Sequence, residues 1–200
     1  FSAKRNPVPS KTSHNTLLEI LWTTVPVIIL IVIAVPTFRL LYYTDRVEKA
    51  DMTLKVVAHQ WYWEYQYPDH GDITFDSYML KDDELQPGQP RLLEVDHHVV
   101  LPVDTTVRVL ITSADVIHNW AMPSMGIKMD AVPGRLNETW LRITKPGIYY
   151  GQCSELCGVG HGFMPIEIEA VSKEAFDAWV KKAKAEFALS GNAASQLAAR

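Results

Sequence analysis

The chain has 200 residues, 48% of them hydrophobic, and a formal net charge of −4. That is enough apolar material for one domain with its own core, which excludes disorder over most of the length. Two cysteines exclude a disulfide-rich scaffold, and 19 basic against 23 acidic side chains argue against a nucleic-acid partner.

Residues 1–16 are polar and carry Lys4, Arg5 and Lys11. Between Glu19 and Arg39 no side chain is charged, and Ile20 to Phe38 is an uncharged, mostly apolar run of 19 residues. As a helix it is about 28 Å long, which matches a hydrocarbon core of about 30 Å. The pattern predicts a transmembrane helix over 17–43. Pro26 and Pro36 would be costly inside a soluble helix, but a membrane helix tolerates the kink. A buried core helix is the alternative. A secretory leader fits poorly, because the run is too long and no small-residue cleavage site follows it. The basic N-terminal flank, set against the mixed charges of Asp45, Arg46, Glu48, Lys49 and Asp51, places the N-terminus in the cytoplasm or an equivalent matrix. Residues after about 44 then lie outside.

Beyond Tyr43 the chain holds 15 basic and 22 acidic groups, a net of −7. Residues 64–98 are the most acidic stretch, with nine Asp or Glu against Lys81 and Arg91. Such a face would steer a basic partner by long-range attraction. A plainly solvated acidic surface is the alternative. β-Branched and aromatic runs predict strands over 54–67, 91–95, 107–112, 138–143, 147–150 and 165–169, with Pro-Gly turn signals between them. The expectation is a mainly β domain over 44–171, a sandwich or barrel. Ser172 reads as an N-cap with Glu174 in the first turn. Phe176, Trp179, Val180, Ala183 and Phe187 follow at helical spacing, which predicts a C-terminal amphipathic helix over 172–189. Residues 190–200 are expected to form a loose tail.

Both cysteines fall in one loop, in the pattern Cys153-x3-Cys157-x3-His161-x2-Met164. Two thiolates, an imidazole and a thioether are soft ligands, the set that suits copper. The loop lies between two predicted strands, where rigid elements can hold it. A further ligand should come from an earlier strand end, and His118 is the best candidate. A mononuclear blue-copper site needs one Cys, two His and a weak Met. Two thiolates could instead bridge two coppers, which uses all five side chains. A Cys153–Cys157 disulfide and a zinc site remain open as alternatives. His59, His70, His97 and His98 have no comparable context and read as surface or satisfied residues. Trp61, Trp63 and Tyr65 are core or interface material by default, although an exposed tryptophan could admit electrons.

The sequence resembles subunit II of the haem–copper cytochrome c oxidases. The residues carrying the resemblance are Gly151-Gln-Cys-Ser-Glu-Leu-Cys-Gly with His161 and Met164, Gln60-Trp-Tyr-Trp63, Asp130-Ala-Val-Pro-Gly-Arg135 and Glu19-Ile-Leu-Trp-Thr-Thr-Val-Pro26. The match runs from about residue 12 to 185. The resemblance implies a cupredoxin-like β-sandwich holding a binuclear copper centre (CuA). That centre accepts electrons from cytochrome c and passes them to haem in subunit I, where oxygen reduction is coupled to proton pumping. By resemblance, Cys153 and Cys157 bridge both coppers, His118 and Met164 complete one, and His161 with the Glu155 carbonyl completes the other. The Glu155 side chain would face a magnesium site shared with subunit I. Trp61 would be where electrons enter. Asp72, Asp76, Asp96 and Asp115 would dock the lysines of cytochrome c, and Glu19 would mark the mouth of a proton-uptake path.

Family members usually carry two membrane helices before the copper domain. Only the second is recognisable here, and residues 1–16 resemble the loop between them. The tail after about 185 resembles bacterial members, which implies a bacterial inner membrane with the copper domain in the periplasm rather than a mitochondrial inner membrane. The implied partners are subunit I, other oxidase subunits, cytochrome c and membrane lipid. A quinol-oxidase subunit II would lack the cysteines and the methionine. A membrane-tethered copper chaperone or thiol oxidoreductase would need a thioredoxin-like alternation of strand and helix, which residues 53–170 do not suggest.

Overall fold

The computed structural model describes residues 2, 4–46 and 49–198, with side chains described as far as Phe187. Residues 1 and 3 of the leading loop and 199–200 of the expected tail lie outside the described residues. The chain divides into two units, Phe1–Asp45 and Arg46–Arg200.

The first unit contains helix α1 (Thr16–Thr44), one residue longer at each end than the sequence suggests. Asn15 caps it: its side chain accepts from the Leu18 N–H, and its own N–H donates to the Glu19 carboxylate at 3.3 Å. None of its residues is buried, and apolar side chains point out all round. Such a helix is stable when lipid surrounds it. Its length and composition suffice to cross a bilayer.

Among its described residues the second unit has ten strands: β1 (Met52–His59), β2 (Tyr62–Tyr67), β3 (Ile73–Ser77), β4 (Val99–Pro102), β5 (Val107–Ser113), β6 (His118–Met122), β7 (Ile127–Ala131), β8 (Asn137–Leu141), β9 (Gly147–Cys153) and β10 (Pro165–Val171). They form two five-stranded sheets, in the orders β3-β2-β1-β5-β8 and β4-β10-β9-β6-β7. Alternation drives the first sheet. Met52, Leu54, Val56 and Ala58 of β1, Trp63, Tyr65 and Tyr67 of β2, and Val107, Val109 and Ile111 of β5 all turn inward. They meet Val99, Leu101, Trp120, Met122, Ile166 and Ile168 of the second sheet. Each large buried side chain contributes about 1.5–3 kcal/mol. Helix α2 (Lys173–Ala198) lays Phe176, Val180 and Ala183 on this core. Trp179 meets Tyr67 at 5.1 Å between ring centres, and Phe187 stacks on Phe75 at 4.8 Å.

The single strand expected over 54–67 is two antiparallel strands, with His59 paired to Tyr62 and Gln60-Trp61 as the connection. The strand expected over 91–95 is absent. Residues 91–93 turn, Leu92 has a left-handed φ of 67°, and only Val95 bridges to Met79. Strands β4 and β6 went unpredicted because they are buried on both faces and show no alternation. The helix α2 runs on to Ala198, over most of the segment expected to be a loose tail. The alanines there favour helix.

Topology positions the site. Strands β1 and β5 are parallel neighbours, paired to the last register Ala58–Ser113. Their exits, Gln60-Trp61 and the 114–118 segment, therefore lie at the same end of the sandwich. Strand β6 starts there with His118, and β9 ends beside it, Trp120 pairing with Cys153.

Candidate metal centre

Cys153 closes β9, Pro165 opens β10, and the loop between them carries Cys157, His161 and Met164. The loop folds back on itself. The Cys153 and Cys157 Sγ atoms lie 3.9 Å apart, and Cys157 Sγ is 3.7 Å from His161 Nδ1 and 3.6 Å from Met164 Sδ. Cys153 Sγ is 3.4 Å from the Glu155 carbonyl oxygen. His118 joins from β6, with its ligating nitrogen and both sulfurs within 4.8 Å of one another. His118, Cys153, Cys157 and Met164 are all buried. The two cysteines are free thiols, so the disulfide alternative is not what this fold contains.

His118 shows which of its nitrogens a metal would use. Nε2 lies 2.8 Å from Asp115 Oδ1. That leaves Nδ1, buried and without a hydrogen-bond partner, an arrangement costly unless something else occupies it. Burial opposes the charged ring, but the neighbouring Cys153 sulfur and the Asp115 carboxylate favour it and raise its pKa above the ordinary imidazole value. The thiols split. Burial also opposes ionisation of Cys153, yet His118 and the backbone N–H groups of Asn119 and Glu155 outweigh it and hold the thiol down to about 6. Burial, and then the Cys153 charge beside it, push Cys157 up to about 12. Two sulfurs this close, with imidazoles and a thioether around them, fit a soft metal that takes both as thiolates. A thioether in the set disfavours zinc.

Sequence reasoning missed the shell around these ligands. Asp115 Oδ2 accepts the Gln60 backbone N–H at 2.6 Å, and Oδ1 accepts the Val116 N–H at 2.6 Å in addition to its His118 contact. Its carboxylate is thus occupied within the site. The Gln60 side chain donates to the Cys157 carbonyl at 2.8 Å, and the Trp61 indole N–H donates to the same oxygen at 3.1 Å. Trp61 is partly exposed and packs against Gly158 and Gly160 of the loop. Two glycines make room for it: a Cβ at Gly158 would come within 3.0 Å of the indole, and one at Gly160 within 2.4 Å. The alternating glycines in Cys157-Gly-Val-Gly-His161 were the sequence signal for a ring seated on this loop.

The other expected residues are dispersed. The Glu155 side chain is exposed. Asp76 faces Glu64 across the β2–β3 pair, and both line a groove with Asp96, Tyr78 and His97. Burial, then Glu64, raise the Asp76 pKa. The Asp96 carboxylate accepts the Tyr78 and His97 N–H groups at 2.7 Å each. Asp72 is exposed before β3, in an adjoining groove with Lys184. Glu19 caps α1, in the other unit. His59, His97 and His98 sit beside Glu64, Asp96 and Glu169, while His70 packs edge-on against Phe176.

The chain matches the family model for cytochrome c oxidase subunit II, periplasmic domain, over residues 52–171, and that for the transmembrane domain over residues 1–40. It is similar to a probable cytochrome c oxidase subunit 2 of Rickettsia bellii, 62% identical over 180 residues, covering 90% of this chain and 67% of that protein. The Rickettsia felis relative is 61% identical, and the chain spans 57% of its length. Among solved structures it is similar to the periplasmic domain of subunit II of cytochrome oxidase (CoxB) of Bradyrhizobium japonicum. The identity is 54% and the TM-score 0.67, covering 71% of this chain and 99% of that one. The sandwich is therefore cupredoxin-like. With both family domains matched in order and soft side chains gathered from one loop and two strand ends, the chain belongs to the cytochrome c oxidase subunit II family.

Proposed function

We propose that the chain relays electrons from cytochrome c to haem in subunit I of a proton-pumping oxidase. The relay would be a binuclear copper centre held by His118, Cys153, Cys157, His161, Met164 and the Glu155 carbonyl. The observation that supports this most is the convergence of two unbonded sulfurs, 3.9 Å apart, on a thioether and two imidazoles. When bound, the two-copper centre supplies one-electron redox chemistry with the charge spread over both metals. The chain's own residues do the rest. Strand ends fix His118 and Cys153, and burial keeps water from the sulfurs. Trp61 bridges the solvent side and the Cys157 carbonyl, which suits it to receive electrons. The groove acids Asp76 and Asp96, with Asp72 nearby and Asp115 beside the centre, would attract a lysine-rich cytochrome c.

The exposed Glu155 carboxylate would face subunit I and a magnesium ion there. Glu19, at the N-terminal end of α1, would stand at a proton-uptake mouth. The helix would anchor the chain in a bacterial inner membrane, with the copper domain in the periplasm. A thiol oxidoreductase fits less well, since no α-helix interrupts residues 52–171.

The test is copper stoichiometry and electron paramagnetic resonance on the full chain in detergent. Two coppers per chain, with the hyperfine pattern of one electron shared by two copper nuclei, is the expected result. One copper with a single-nucleus pattern would overturn the reading. Cys157→Ser should abolish the shared pattern, because a hydroxyl is a hard and weakly bridging ligand.

A further inference from the structure

One buried side chain next to the ligands has no part in the relay described above. Trp63 sits on β2 with no exposed surface. A tryptophan in such a place is by default packing material. Its neighbours are more specific than that. The indole N–H donates to the Met164 carbonyl at 3.1 Å. That oxygen also accepts the Cys153 N–H at 3.4 Å, so it ties the two ends of the ligand loop together. The same ring meets the His118 imidazole edge-on, with 6.1 Å between centres and 61° between planes. Asp115 holds His118 through its Nε2 atom. The start of β6, the end of β9 and the residue before β10 therefore all bear on one rigid ring.

Met164 is the ligand that most needs such a brace. Its side chain has three soft torsions and its sulfur binds weakly, so its placement depends on what holds its main chain. Asp115 braces His118 from one side, and the indole edge braces it from another. Trp61, two residues earlier, grips the same loop through the Cys157 carbonyl.

We propose that Trp63 is a positioning residue for the centre: it sets the Met164 thioether and the His118 imidazole relative to each other, and through them the redox potential. The proposal rests on the copper reading above. Groups that hold ligands from behind tune a metal site more than they create it, so the metals should stay when Trp63 is changed.

The experiment uses the copper-loaded full chain in detergent. Trp63→Phe removes the N–H and part of the ring. A second variant carries 3-benzothienylalanine at position 63, which keeps the ring shape but puts sulfur in place of the N–H. Tyr67→Phe is the control. It lies on the same strand and also loses a buried bond to main chain, Tyr67 Oη to the Val100 carbonyl at 3.1 Å. Copper content, the hyperfine pattern, and the ratio of reduced to oxidised centre at a fixed ambient potential are measured. The His118 ring-nitrogen resonances are followed in the copper-free chain.

Both Trp63 variants should keep two coppers, shift that ratio by about tenfold, alter the hyperfine pattern and move the His118 resonances. Tyr67→Phe should lower Tm and leave all of these in place. Trp63 variants that lose only Tm, like the control, would overturn the proposal and leave Trp63 as packing. If Trp63→Phe does not fold, the benzothienyl variant decides by the same criteria. A parent chain without the shared-electron signal would instead overturn the copper reading itself.

Discussion

Gly160 offers the sharpest test of Trp61 as the port for electrons, because the three atoms nearest to a methyl group there all belong to Trp61. Gly160 precedes the single helical turn that carries His161, at φ −88° and ψ 10°, a conformation open to any residue. Backbone strain is not the issue; space is. A Cβ there would lie 2.4 Å from Cγ and Cδ2 of Trp61 and 2.8 Å from its Cβ. Carbon atoms in contact prefer about 3.5–4.0 Å, so the indole must retreat by about 1 Å. That stretches the bond from Trp61 Nε1 to the Cys157 carbonyl from 3.1 Å to beyond a hydrogen bond. Losing it costs about 1 kcal/mol, which the fold can absorb.

Gly160→Ala should therefore keep its coppers and their hyperfine pattern. A misplacement of about 1 Å at a reacting group can cost about 10²-fold, so reduction by ferrocytochrome c should slow by about 10- to 100-fold. A small diffusing reductant that bypasses Trp61 should act at the parental rate. Gly162→Ala serves as the control, since a Cβ there meets nothing within 4 Å. The assay is stopped-flow mixing of each variant with each reductant, with tryptophan fluorescence reporting that the indole has moved. A parental rate with cytochrome c despite a moved indole would refute Trp61 as the port. Equal slowing with both reductants would place the damage in the ligand loop.

Met164→Leu should keep both metals and shift the midpoint potential in a redox titration, because a thioether is a weak ligand; loss of all copper from a folded chain would contradict this. Asp76→Asn and Asp96→Asn should weaken cytochrome c binding and flatten its salt dependence, since exposed charges act within about 8 Å at physiological salt; an unchanged salt slope would reduce the groove to a solvated face. Asp115→Asn should also change the copper spectrum, because its carboxylate holds His118 and Gln60. Burial, then Glu94, raise the pKa of Glu167, so the fold resists its ionisation and loses stability as pH rises from the unfolded value of about 4.3 through the raised one. Glu167→Gln should accordingly raise Tm near pH 8 and leave it unchanged near pH 4, and a gain of equal size at both would refute the assignment.

What the sequence determined by itself was local. The membrane helix follows from an uncharged run whose length matches a bilayer, and β5 and the extended character of 54–67, though not its break at Gln60-Trp61, follow from residues that alternate across a pleat. The soft side chains Cys153, Cys157, His161 and Met164 could be read as candidate ligands because they lie within a few residues of each other and their chemistry has few other uses. Only the tertiary structure decided the rest. Strands β4 and β6 carry no alternation because both their faces are covered, so their pattern exists only once the other layers are in place. His118 meets the two sulfurs because the parallel pairing of β1 and β5 brings their ends to the edge where β9 stops. Asp115 offers a charge to the acidic outer domain, and only the fold shows that its oxygens also hold Gln60 and His118. Trp61 and Trp63 look alike in sequence, two residues apart, but one packs partly exposed against the ligand loop and the other lies within the core. Short-range pattern shows which groups a segment offers; which of them meet depends on strand order and register, and those are set by burial over the whole sandwich.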